Sequence, residues 1–286
     1  MNGRRPGKGP GRDESAGAAP RLITSLTNEQ IKSIRALEMR KERKETGLFV
    51  AEGASILVTA RDAGFVPEKL VLLAGSADSG IPRGLVAWAL KAGSDVLEVS
   101  DAVLAKLSAK DNPQTLLGVF QQRWVSLPDL GSLAASSCWV VLEEVRDPGN
   151  LGTIARTADA VGADGIILVG NCCDPYSREC VRATMGSIFT VPITRAARPE
   201  FLAWRAGWPG TVIGTHLTAT ADFRTVTPDE PILLIMGSEG PGLSDEMAEA
   251  CSLLVKIPMA GSLDSLNLAI ATALTLYQLR SPHLRL

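Results

Sequence analysis

Histidine is nearly absent from this chain: its 286 residues contain two, His216 and His283. Histidine-rich metal sites and histidine-based catalytic triads are therefore poor candidates, and no metal is expected. Paired cysteine is missing as well. The five cysteines, Cys138, Cys172, Cys173, Cys180 and Cys251, form no C-x-x-C pair. Their odd number fits a reduced compartment better than a disulfide framework, and adjacent Cys172 and Cys173 read as small buried hydrophobes. No uninterrupted apolar run approaches the roughly 18 residues of a membrane span. The opening stretch MNGRRPGKGPGRDESAGAAP lacks the apolar core of a signal peptide, so a cytoplasmic protein without membrane partners is expected.

What is present is an ordinary globular composition, 45% apolar and 21% charged, long enough for two domains. The overall charge of −2 hides an asymmetry. Residues 1–48 hold eleven Lys/Arg against six Asp/Glu, a balance of +5, which leaves −7 for the rest. A basic front end on an acidic body fits a polyanion partner, and equally a solvated helix face with a tail. Lys32, Arg35, Arg40, Lys41, Arg43 and Lys44 are the candidate polyanion contacts of that segment.

Residues 1–20, mostly Gly, Pro, Ala and charge, should be disordered. A helix is expected from Thr27-Asn28, with Ile31, Ile34 and Leu37 at helical spacing, followed by a charged stretch to Gly47. Strands are expected near 48–51, 70–73, 95–99 and 116–121, with a helix near 55–63. Residues 21–122 thus form one α/β unit, and 123–137 a linker. From Cys138 the pattern changes. Short apolar runs at 139–142, 166–169, 212–213, 232–236 and 253–255 alternate with helical stretches, as in a parallel sheet covered on both faces. In such sheets ligands bind at the carboxyl ends of strands.

Three loops at those ends carry unusual residues. The first runs from Glu144 to Thr157 and contains Asn150, Gly152, Arg156 and Thr157. The second is Gly237-Ser238-Glu239-Gly240-Pro241-Gly242-Leu243-Ser244. It has neither G-K-[ST] nor G-x-G-x-x-G, so it is no phosphate loop. It can bring backbone close to a flat ligand, or simply form a turn with Ser244 as a helix cap. The third is Ile257-Pro258-Met259-Ala260-Gly261-Ser262-Leu263-Asp264-Ser265-Leu266-Asn267. Behind it, Leu266, Ala269, Ile270, Ala273, Leu274 and Tyr277 make a helical stripe, which leaves Ser265 as either a cap or a phosphate ligand.

Together the three loops resemble the motifs of the SpoU (TrmH) family of RNA ribose 2′-O-methyltransferases in the SPOUT superfamily: N-x-G-x-x-x-R-T at 150–157, G-S-E-G-x-G-L-S at 237–244 and I-P-M-x-G-x-x-x-S-L-N at 257–267. The resemblance covers 138–286. It extends more weakly to 21–122, where Phe49-Val50-Ala51-Glu52-Gly53 is similar to the family's L30e-like RNA-binding domain. It implies an α/β trefoil-knot domain with a parallel sheet, and S-adenosylmethionine as cofactor, held around Thr215, Gly237, Ile257, Met259 and Leu266. It also implies a homodimer with the site at the subunit interface, and Arg156, Asn150, Glu239, Ser265 and Asn267 as the catalytic set. The separate N-terminal domain resembles members acting on large-subunit (23S) ribosomal RNA, among them actinobacterial antibiotic-resistance enzymes. A tRNA 2′-O-methyltransferase and a non-catalytic RNA-binding dimer built on the knot are the alternatives. A small-molecule methyltransferase fits the basic segment and extra domain poorly. Asn112-Pro113-Gln114-Thr115 departs from the family's Thr-Pro-Gln-Gly, in a loop that faces substrate.

With histidine so scarce, the chemistry is constrained. A guanidinium stays protonated, so Arg156 suits binding of a phosphate and stabilisation of a developing alkoxide rather than proton abstraction. Asn150 and Asn267 can orient Arg156 or the ribose, and Glu239 can fix backbone or arginine geometry.

Overall fold

The computed structural model describes residues 19–78, 80–108 and 115–285. All but the last two residues of the expected disordered tail, and residues 112–114 of the expected substrate loop, lie outside that range.

The N-terminal unit comprises β1 (Arg21–Ile23), α1 (Glu29–Ala36), α2 (Arg40–Thr46), β2 (Leu48–Glu52), α3 (Ala54–Asp62), β3 (Lys69–Leu73), α4 (Gly80–Lys91), β4 (Asp95–Val99), α5 (Asp101–Ser108) and β5 (Leu116–Gln121). Asn28 caps α1, its side chain accepting from the Gln30 N–H at 2.9 Å. The charged stretch continues as helix α2 and stops at Gly47, whose left-handed conformation suits a residue without Cβ. The sheet order is β1-β4-β3-β5-β2, with β2 and β3 antiparallel to β5 and the other pairs parallel.

The C-terminal unit comprises β6 (Cys138–Glu143), α6 (Pro148–Ala160), β7 (Gly165–Val169), α7 (Arg178–Ala183), β8 (Ile193–Ala196), α8 (Arg198–Arg205), β9 (Thr211–Thr215), β10 (Ala221–Asp222), β11 (Ile232–Met236), α9 (Asp245–Glu249), β12 (Leu253–Lys256) and α10 (Leu268–Arg280). Its seven strands are all parallel, in the order β10-β12-β9-β11-β6-β7-β8. Every residue of β6, β7 and β11 is buried, because helices cover both faces of the sheet.

One core runs through both units. Phe49 and Phe120 of the first sheet meet Tyr176 and Phe189 of the second, with ring centroids 4.8 Å apart for Phe49–Tyr176 and 4.9 Å for Phe120–Phe189. Residues of the 123–137 segment are held too. Leu127, Leu130 and Leu133 pack on the outer face of the second sheet, and Val125 N–H donates to the Ile193 carbonyl. An interface this apolar favours domains that move as one body.

A candidate cofactor cradle at the carboxyl edge of the parallel sheet

The loops after β9, β11 and β12 enclose a cavity of about 470 Å³, within the rough 300–1,000 Å³ range of small-molecule sites. Thr215, Gly237, Ile257, Met259 and Leu266 all line it, as do Glu239, Ser265 and Asn267. The second loop folds back on itself through paired backbone bonds between Ser238 and Gly242, at 3.1 and 3.2 Å. Ser244 then caps α9, accepting from the Met247 N–H, so the turn-and-cap reading and the cavity-lining reading hold in one segment. A Cβ on Gly237 would sit 2.0 Å from the Gly242 carbonyl carbon and 2.1 Å from the Leu243 nitrogen. No other residue type fits that approach.

The three loops are tied at the mouth of the cavity. Glu239 accepts from the Arg146 N–H at 3.0 Å, the Asp147 N–H at 3.3 Å and Asn150 Nδ2 at 2.9 Å. Asn150 Oδ1 in turn accepts from Asn267 Nδ2 at 2.9 Å. Partial burial pushes the Glu239 carboxyl upward, but the bonds from Asn150 and from the backbone N–H groups of Arg146, Glu239 and Asp147 outweigh it and hold it below the usual carboxylate range. Glu239 is therefore a structural anion joining the first and second loops. Asn267 caps α10 with Oδ1, accepting from the Ala269 and Ile270 N–H groups. That excludes Ser265 as the cap, and Ser265 stays exposed on the cavity wall.

Gly152 of the first motif has a packing explanation. A Cβ there would lie 2.5 Å from Ala183 Cβ and from the Cys180 carbonyl oxygen, where α6 and α7 cross closely. Arg156, one turn further on, is exposed and does not line the cofactor cavity. It faces a separate shallow cleft with Asp159, Thr184, Met185 and Ser187. Among the described residues its guanidinium has no hydrogen-bond or ion-pair partner, while Asp159 is engaged by Ser187 and Thr190 hydroxyls.

The expected RNA contacts divide. Lys32, Arg40, Lys41 and Lys44 are exposed, and Arg35 is half-buried. Arg43 is not a surface residue. It is buried between the two units, donating from Nε to Asp174 Oδ2 at 2.9 Å and from Nη1 to the Leu37 and Glu38 carbonyls. An alternating run of charge on a short helix must turn one side chain inward, and that one found a carboxylate across the seam.

Burial raises the Cys172 and Cys173 thiols to about 11 and about 12, which makes them poor nucleophiles. The sequence reading passed over His216 and Met236, both of which line the cavity. Their positions at the carboxyl ends of β9 and β11 were the available signal.

S-adenosylmethionine fits these residues. Met236, Leu243, Ile257 and Leu268 offer apolar walls for a flat base, the Gly237 turn brings backbone close, and Glu239 and Asp264 give an acidic rim for a cationic ligand. A parallel sheet with this cradle and three interlocked loops suits an S-adenosylmethionine-dependent methyltransferase. The comparisons with known proteins agree. Residues 137–277 match the model of the SpoU rRNA Methylase family, and 28–118 that of the MRM3-like substrate binding domain. An AdoMet-bound rRNA methyltransferase from Sinorhizobium meliloti is 43% identical, with a TM-score of 0.84 over 93% of this chain and 99% of that one. The 23S rRNA (guanosine(2553)-2′-O)-methyltransferase RlmP of Bacillus subtilis (strain 168) is 30% identical across 90% of this chain and 98% of its own length. The 23S rRNA (uridine(2479)-2′-O)-methyltransferase of Streptomyces viridochromogenes is 31% identical across 91% and 92%. The chain belongs to the SpoU rRNA methylase family.

Proposed function

We propose that the protein methylates a ribose 2′-hydroxyl of 23S ribosomal RNA in the cytoplasm, as a homodimer whose two sites each draw residues from both subunits. Residues 21–122 receive the RNA, 123–137 connect, and 138–286 form the methyltransferase domain, a trefoil knot in which the third loop threads through another. The likeness to SpoU methyltransferase structures supports that domain assignment.

The observation that carries the dimer is the outer face of α10. Ile270, Leu274 and Tyr277 lie on one side of that helix and are 43 to 51% exposed. Such a stripe belongs in an interface. Helix α6, which carries exposed Arg156, packs beside α10. A second subunit placed on this face brings its own Arg156 toward the cavity that the same chain's Arg156 does not line. The cofactor supplies an electrophilic methyl group when bound. Around it, Asn150, Glu239 and Asn267 hold the loops in register, Ser265 is free to bond a phosphate, and Arg156 binds the adjacent phosphate and stabilises the developing alkoxide.

The test is to map 2′-O-methyl groups in total RNA from cells lacking and expressing the protein, with ribosome-directed antibiotics tested in parallel. A new methyl in 23S ribosomal RNA is expected. Methylation confined to tRNA, or none, would contradict the reading.

A further inference from the structure

The seam between the two units carries more positive charge than its carboxylates balance. Arg43 engages Asp174, which is 10% exposed, in a buried ion pair. Two more guanidiniums reach the same place. Arg195 of β8 comes within 3.8 Å of Asp174 Oδ1 and lies 4.0 Å from the centre of the Trp124 ring. The indole is itself fixed, since Trp124 Nε1 donates to Gln122 Oε1 at 3.0 Å. Arg40 is exposed and donates to the Cys172 carbonyl at 3.4 Å, and among the described residues no carboxylate pairs with it. Burial lowers the Arg195 pKa; Asp174 raises it, and the nearby Arg40 charge lowers it again. Arg43 and Arg195 thus share one carboxylate, and Arg40 stands beside them with none.

The place of this cluster in the fold is as telling as its charge. Strands β7 and β8 run parallel to those that end at the cofactor cavity, so Cys172, Asp174 and the end of β8 lie on the same carboxyl edge. β8 stands three strands from β11, about 14 Å at the usual spacing of neighbouring strands.

Planar, weakly hydrated guanidiniums with unspent positive charge are suited to phosphodiester oxygens. We propose that Arg40 and Arg195, with Trp124 holding the Arg195 plane, form a phosphodiester subsite that leads the RNA substrate from the N-terminal unit to the methyl-transfer cavity. This rests on the reading of the substrate as RNA and adds Arg195 and Trp124, which neither the motifs nor the basic segment contain.

Arg40→Glu is the cleaner variant. Arg40 occupies the first position of α2, where the helix dipole favours an acid, so the substitution should not weaken the fold. Arg195→Ala and Arg195→Lys complete the set. Binding of a 23S ribosomal RNA fragment is measured across a range of salt concentrations, with calorimetry for S-adenosylmethionine on the same preparations. Arg40→Glu and Arg195→Ala should each weaken RNA binding about tenfold. Each should also flatten the log–log salt slope by roughly 0.7–0.9, the value of one lost phosphate contact. Arg195→Lys should restore the slope but not all of the affinity, and cofactor affinity should be unchanged throughout. Unaltered RNA affinity and slope in both charge-removing variants would overturn the subsite alone, as would a lowered melting temperature with an intact slope. Failure of the wild type to bind this RNA would overturn the substrate reading as well.

Discussion

Replacing Gly237 with alanine should weaken cofactor binding severely while leaving most of the fold intact. The added methyl would lie 2.0 Å from the Gly242 carbonyl carbon, 2.1 Å from the Leu243 nitrogen and 2.3 Å from the Gly242 oxygen. All three are main-chain atoms, so no side chain can swing aside. Relief requires opening the two backbone bonds between Ser238 and Gly242, each worth about 1 kcal/mol. Residual overlap adds roughly 1–3 kcal/mol. A total of about 3–5 kcal/mol falls on the closed form of this loop, and S-adenosylmethionine affinity should drop at least about a hundredfold. Because the loop can open locally, the melting temperature should fall by only a few degrees. Gly261→Ala is the matched control: it lies in the third loop, and a Cβ there meets nothing within 4 Å. Its affinity should stay within about twofold of wild type, with any stability change below about 1 kcal/mol. Calorimetry and thermal unfolding on the two variants decide the matter. Near-normal cofactor binding by Gly237→Ala, or equal damage from Gly261→Ala, would refute the steric argument.

Other perturbations have equally definite outcomes. The Glu239 carboxyl is held below its ordinary value of 4.5, so its contribution to loop stability is complete above that pH and is lost as pH falls through the folded value; S-adenosylmethionine affinity of the wild type should therefore fall below pH 4.5, whereas Glu239→Gln should show a weaker but flatter acid profile. Leu274→Glu places a charge on the exposed stripe of α10, and sedimentation should show monomers with an unchanged melting temperature and little methyl transfer. Arg43→Ala removes the nearest partner of Asp174, leaving it Arg195 at 3.8 Å, and should cost about 1–3 kcal/mol in denaturant unfolding, against less than about 0.5 kcal/mol for exposed Lys44→Ala.

The parts of the fold most legible in the sequence were the strands buried on both faces. β6, β7 and β11 announce themselves as continuous apolar runs because helices cover both sides of them, and β9 and β12 as shorter runs that are only partly buried. β8 and β10 lie at the edges of the sheet, and β1 at the edge of the first. Ile193-Thr194-Arg195-Ala196 mixes polar and apolar residues, and β10 has only two residues, so neither forms an apolar run. The cavity-lining set followed from the motifs, but its wiring did not. Asn150 meets Glu239 and Asn267 across 89 and 117 residues of chain, a closure that only the sheet order brings about. Local pattern also misplaced one side chain: Arg43 belongs to a charge run yet turns inward to a carboxylate 131 residues away. Of the two roles open to Ser265, the cap of α10 goes to Asn267 instead. The stripe behind that cap has helical spacing, but Ile270, Leu274 and Tyr277 face outward, which spacing alone cannot distinguish from a core face.

The central claim is that each methyl-transfer site combines the cofactor cavity of one subunit with Arg156 of the other. Arg156→Ala alone should retain S-adenosylmethionine binding and lose roughly 10²–10³ in rate, the scale of a lost oxyanion donor. Mixing that variant with Gly237→Ala under conditions that exchange subunits tests the arrangement. If Arg156 acts across the interface, each heterodimer holds one site with both lesions and one with neither, and about a quarter of all sites in a random mixture should work. Methyl transfer to RNA should then rise far above that of either variant by itself. If the site is built within one chain, both heterodimer sites stay damaged, and a mixture no more active than its components would contradict the account.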